Sequence, residues 1–174
     1  MIRLFSSLLI LALSLSIAHA DKNELAATIV GYGNATHIKN NTGASVLITQ
    51  GNTSIIVDMD YSTEEDLNKL GVKADNLSAL LFTQKLKHLN FDFFKNKNRA
   101  VIGGETFFIN GIKVSTLKSP DSAYEISYRF DFEERSIIVT GDVQDNKALS
   151  GFSRNSDFVI INSSGNVRIA FNQF

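Results

Sequence analysis

The chain contains no cysteine and a single proline, Pro120. Without cysteine there is no disulfide framework, no thiolate metal site and no cysteine-linked lipid anchor. An excess of one charge is missing too: 17 Lys and Arg stand against 18 Asp and Glu, for a formal net charge of −1. The charges are scattered, with no basic stripe, which argues against a nucleic-acid partner. Histidine is scarce, at three residues, His19, His37 and His88. Internal repeats, low-complexity tracts and linkers are absent, and Pro120 lies in a polar stretch that reads as a loop.

What is present begins with a leader-like segment. Arg3 gives a positive start, Leu4 to Ile17 is apolar apart from serines, and Ala18-His19-Ala20 ends it with small residues at the positions a signal peptidase reads. That apolar stretch falls short of the roughly 20 residues a membrane-spanning helix needs. Residues 1–20 are therefore expected to be a secretory signal peptide, and 21–174 one exported domain, periplasmic or secreted, with no membrane contact after cleavage. Domains commonly run to about 100–150 residues, and one of this size buries roughly two-thirds of its surface without needing a metal or a disulfide.

Turn chemistry punctuates the rest. Ala44 to Ile48 and Ser54 to Val57 flank Gln50-Gly51-Asn52, a hairpin signal. Ser62-Thr63-Glu64-Glu65 has the form of a capping box. The helix that follows carries Leu67 and Leu70 on one face and stops at Gly71. Ala79 to Thr83 is a short apolar run suited to a buried strand. Phe107 to Leu117 reads as a hairpin around Asn110-Gly111, where both positions tolerate positive φ. Glu125 to Phe132 and Ser136 to Thr140 pair around Glu133-Glu134. Asp145 to Phe152 is helical, and Asp157 to Ile161 and Val167 to Phe171 are strands. Strands with helices between some of them make a layered α/β or α+β domain.

In this order of elements, several short strings resemble the metallo-β-lactamase superfamily, in particular its ribonuclease Z and arylsulfatase-like branch. Ile29-Val30-Gly31-Tyr32-Gly33 is similar to the opening strand and Gly-x-Gly turn. Gly43 to Leu47 resembles the entry to the first hairpin, and Ile55-Ile56-Val57-Asp58 the strand that ends in a pocket-facing aspartate. Thr83 and Asn90-Phe91-Asp92 stand where the family has the residues around its His-x-His-x-Asp-His motif. Ser136 to Asp142 looks like the late strand with its Gly-Asp, and Asp157 to Ile161 like the strand after it. The resemblance implies an αββα layered sandwich, here shortened at the C-terminus.

The resemblance also implies a metal centre, and this sequence departs from it there. Such hydrolases polarise the scissile bond with metal and lower the pKa of a bound water, which takes several imidazoles and carboxylates around an open position. Gln84 and Leu86 replace the first two histidines, His88 takes the aspartate position and Leu89 that of the third histidine. The later histidine should fall near Lys118-Ser119, and Asn162 stands in place of the usual acidic residue. Asp142 is the surviving ligand type. The expectation is a non-catalytic domain, a pseudoenzyme without cofactor, binding a small ligand or a protein and pairing with a second copy through an exposed sheet edge. The alternative is a metal-dependent phosphodiesterase or esterase holding zinc or manganese on His88 and Asp142, with Asp58 and Asp92; oxygen-rich sites suit manganese. No Gly-x-Ser-x-Gly elbow accompanies Ser163-Ser164-Gly165, which argues against a serine hydrolase.

Overall fold

The structure is a computed structural model, and it describes residues 23–30, 45–59, 63–84, 101, 103–120, 125–141, 146–163 and 166–171. Among these residues ten strands, two α-helices and one 3-10 turn run in the order β1 (Ala26–Val30), β2 (Ser45–Gln50), β3 (Thr53–Val57), α1 (Thr63–Lys69), the 3-10 turn (Ala74–Asn76), β4 (Ala79–Leu81), β5 (Thr106–Ile109), β6 (Ile112–Lys118), β7 (Ile126–Phe132), β8 (Arg135–Thr140), α2 (Asn146–Phe152), β9 (Phe158–Ser163) and β10 (Asn166–Phe171). They form two sheets, β1-β2-β3-β4 and β10-β9-β8-β7-β6-β5.

Local turn chemistry sets the antiparallel pairs. Gly51 at φ 56° closes β2 onto β3, Asn110 at 47° and Gly111 at 91° close β5 onto β6, and Glu133 at 51° closes β7 onto β8. Positive φ at such positions matches the twist of the flanking strands. Two neighbours are parallel, β3 with β4 and β8 with β9. A parallel pair cannot be joined by a tight turn and needs a crossover; α1 supplies the first and α2 the second.

Period-2 alternation then splits the strands between layers. Val46, Ile48, Ile55, Val57, Ala79 and Leu81 meet Ile112, Val114, Tyr128, Phe130, Ile137, Val139 and Ile160 in the core between the sheets. Val30, Leu47, Ile56 and Leu80, on the opposite face, pack with Leu67, Ala74 and Leu77 from the first crossover. Each fully buried Leu, Ile or Val contributes about 1.5–3 kcal/mol relative to exposure. On the far side of the second sheet, Arg129 of β7 reaches the end of α2. The result is the expected αββα sandwich: two mixed sheets with few helices.

One expectation fails. Leu67 is buried at 1% exposure, but Leu70 is 51% exposed rather than sharing its face. The helix ends one residue too early for Leu70 to pack. Val72 N–H donates to Leu67 O at 2.9 Å and Gly71 N–H to Asn68 O at 3.0 Å, with Gly71 at φ 76°. This Schellman closure makes Leu70 the cap residue and brings Val72 onto the Leu67 cluster instead. Ser62, the first residue of the proposed capping box, lies outside the described residues, as do Gly31-Tyr32-Gly33. Thr63 is described and buried, and its hydroxyl bonds the Ser45 hydroxyl at 2.7 Å.

Candidate functional site

The two parallel pairs end at a shared corner of the sandwich. β3 runs out at Asp58, β4 at Thr83 and β8 at Gly141, beside the return from β6 to β7 at Ser119 and Glu125. Main-chain bonds hold the corner together. Ile126 N–H donates to Thr83 O at 2.8 Å and joins the sheets, while Ser119 N–H donates to Glu125 O at 2.9 Å. Gly141 N–H donates to the Ser127 hydroxyl at 3.2 Å. A Cβ on Gly141 would stand 3.0 Å from Ile126 O and 3.4 Å from Thr83 O, so a larger residue here would require this backbone to give by a few tenths of an ångström.

Asp58 sits at the centre of the corner. It is 7% exposed and holds φ at 57°, the left-handed region that costs most residues but that Asp tolerates. Its N–H donates to Leu81 O at 2.9 Å. Its carboxylate receives Thr83 twice, from the backbone N–H to Oδ1 at 2.8 Å and from the hydroxyl to Oδ2 at 2.6 Å. Bonds of this kind to a charged acceptor are shorter and stronger than neutral ones. The neighbouring Tyr128 hydroxyl donates to Phe82 O at 2.7 Å. Burial, and after it the negative charge of Asp58, pushes the Tyr128 phenol well above its ordinary range.

Of the four expected metal-site residues, Asp58 is the one the structure describes. His88, Asp92 and Asp142 lie outside the described residues, although Gly141, the neighbour of Asp142, stands against Thr83. Gln84 is exposed immediately after Thr83. Ser119 is 1% exposed, and its hydroxyl has no hydrogen-bond partner among the described residues. Among the described residues no group of three or more His, Cys, Asp or Glu gathers to hold a metal. Among the described residues of the corner, the Asp58 carboxylate is a donor of the type zinc takes, and it is engaged by Thr83.

Sequence reasoning missed the partnership of Asp58 with Thr83 and the placement of Tyr128 beside it. Both residues are conspicuous, a strand-ending threonine and a tyrosine inside an apolar strand. Thr83 reaches Asp58 across 25 residues and Tyr128 reaches Phe82 across 46, which no local pattern encodes.

Neither a family model nor a curated protein sequence matches the chain. Solved structures do. YhfI of Bacillus subtilis, a metallo-β-lactamase fold protein, superposes with a TM-score of 0.62 at 15% identity, over 78% of this chain and 70% of that one. A B3 metallo-β-lactamase with an active-site glutamic acid gives 0.55 at 12% identity, over 84% and 80%. The metallo-β-lactamase SMB-1, solved with mercaptoacetic acid, gives 0.52 at 14% identity, over 83% and 82%. The chain has the metallo-β-lactamase fold. At these identities the likeness speaks to the fold, and activity has to be argued from the site.

Proposed function

We propose that this chain is an exported pseudoenzyme, a metallo-β-lactamase-like domain that works by binding a small ligand or a protein and not by metal-dependent hydrolysis. The observation that carries the reading is the end of β4. Thr83 is bonded through both its N–H and its hydroxyl to Asp58. Read by the resemblance, the position after Thr83, where the ribonuclease Z-like branch sets its first histidine, belongs to exposed Gln84, and the anchored Thr83 at the strand end supports that register. The Ser119 hydroxyl in the region of the later histidine supports the same reading. Packing at the corner is retained while the donors that would activate water are replaced.

A second reading, a zinc- or manganese-dependent phosphodiesterase or esterase, draws on a different observation. Thr83 bonds Asp58, and a Cβ on Gly141 would stand 3.4 Å from Thr83 O, so Asp58 and the residue before Asp142 share this corner. The discriminating experiment is metal content by mass spectrometry of the purified chain after incubation with zinc, manganese and iron and desalting. The pseudoenzyme reading expects near-zero metal. A stoichiometric metal that is lost in His88→Ala or Asp142→Ala overturns it in favour of the hydrolase.

A further inference from the structure

The two sheets have four edges, and they differ. In the smaller sheet β4 is three residues long, and the chain just beyond it is closed by the bond between Thr83 O and Ile126 N–H. β1 is five residues long, and Glu24 just before it reaches Arg135 of β8 at 3.9 Å. In the larger sheet β5 has four residues and is preceded by the Gly103-Gly104 turn, where a Cβ on Gly103 would collide with Lys118. β10 is the exception. It has six residues in unbroken register with β9, contains no proline or glycine, and carries a single charge, Arg168.

Arg168, Ile169 and Ala170 are all exposed, Ile169 at 50%. Ile169 stands opposite Ile160, a residue of the central core. Directly opposed residues of an antiparallel pair share a face, so Ile169 continues the core-facing side of the larger sheet into solvent. Natural edges are blunted by short length, proline, bulges or charge. β10 has little of this protection.

We infer that β10 is a homodimerisation edge, which pairs antiparallel with β10 of a second copy about a two-fold axis at Ile169. The occupant follows from the strand's own sequence. A two-fold axis normal to the sheet keeps each residue on its own face, so it must pass beside a single residue. An axis at Arg168 would set Arg168 against its own copy, and like charges directly opposed destabilise a pair. An axis at Ala170 matches only the end of the strand. The axis at Ile169 sets Ile169 on Ile169, Arg168 on Ala170 and Val167 on Phe171, so the strand complements itself from 167 to 171. A net charge of −1 presents little repulsion to the approach of two copies. Joining two six-stranded sheets gives one of twelve strands, and the two exposed isoleucines cover each other. This inference goes beyond the proposed function and does not depend on whether a metal is bound.

The absence of cysteine makes the test clean, since Ile169→Cys introduces the only thiol in the chain. Opposed residues of an antiparallel pair lie about 4.5–5.5 Å apart at Cα, within the roughly 4.4–6.8 Å a disulfide bridges. The full chain at about 100 μM, enough to populate dimers of micromolar Kd, should show a two-chain mass by light scattering, and Ile169→Lys should reduce it to one chain. Under mild oxidation Ile169→Cys should give covalent dimer at least about tenfold faster than Phe108→Cys on the opposite edge, because pairing raises the effective concentration of the two thiols. A one-chain mass for the unaltered protein overturns the inference. So does a two-chain mass that survives Ile169→Lys, or cross-linking at 169 no faster than at 108. The cysteine comparison stands even if the lysine variant fails to fold.

Discussion

The crossover from β3 to β4 and the crossover from β8 to β9 each carry a seven-residue helix, yet the two are docked by different chemistry. The first is an apolar lid. Leu67 and Leu77 are at 1% and 0% exposure and join Ala74 against Leu47, Ile56 and Leu80. The second has a polar anchor at its end. Arg129 donates from Nη1 to Phe152 O at 3.0 Å and to Arg154 O at 2.8 Å, and from Nε to Asp131 at 2.8 Å. It thereby satisfies carbonyls at the end of α2 that have no partner within the helix. The Asp157 carboxylate completes the arrangement by accepting from Ser136 N–H at 2.7 Å, just before β9 begins. The same topological problem, returning the chain to start a parallel strand, is solved by burial on one face of the molecule and by directed hydrogen bonds on the other.

The difference can be broken at each helix separately. Leu67→Ala removes a fully buried side chain and leaves a cavity, which should cost about 2–5 kcal/mol, read as a lower urea midpoint for the whole domain. Arg129→Met keeps the aliphatic stem but removes charged hydrogen bonds, each of a kind worth about 1.5–3 kcal/mol. Its effect should concentrate in α2, with faster amide exchange at 146–152 and little change around α1. A comparable loss of protection at both helices would mean that the two crossovers are not independent.

The smallest effect should be the alkaline one. The Tyr128 phenol is raised in the folded state by burial and then by Asp58. Its contribution to stability is therefore present below the ordinary tyrosine value, about 10, and is lost as pH rises toward the higher folded value. Stability measured from pH 9 to 11 should decline, and the decline should flatten in Tyr128→Phe. Because Tyr128 bonds Phe82 at the end of β4, loosening should begin at the first crossover. An unchanged slope in Tyr128→Phe would remove Tyr128 as its source.

These contrasts also show what a sequence discloses. The hairpins at Gly51-Asn52 and Asn110-Gly111 are legible because positive φ is a local demand that few residues meet, whereas the turn at Glu133-Glu134 shows only in the apolar runs on either side of it. The strand faces are legible because alternation is local as well. Leu70 was misread because its face depends on where the helix stops, and that is decided by the two bonds around Gly71. The role of Arg129 could not be read at all, since the carbonyls it serves lie 23 and 25 residues away. At the candidate site, Asp58 and Thr83 were visible as strand-ending residues, but their bond was not. His88, Asp92 and Asp142 lie outside the described residues, so their placement rests on the sequence.

The bond from Ile126 N–H to Thr83 O carries a consequence for the order of assembly. Hairpins such as β2–β3, β5–β6 and β7–β8 close over short loops, whereas parallel pairs must wait until long chain segments have been brought back. The Thr83–Ile126 bond joins a strand of one sheet to a strand of the other 43 residues later, so it can form only when both layers stand. The corner that holds Asp58, Thr83 and Gly141 is then expected to close late in folding, which φ-values at Thr83 and Ile126 would read. A ligand that grips that corner would act on the lifetime of the whole fold.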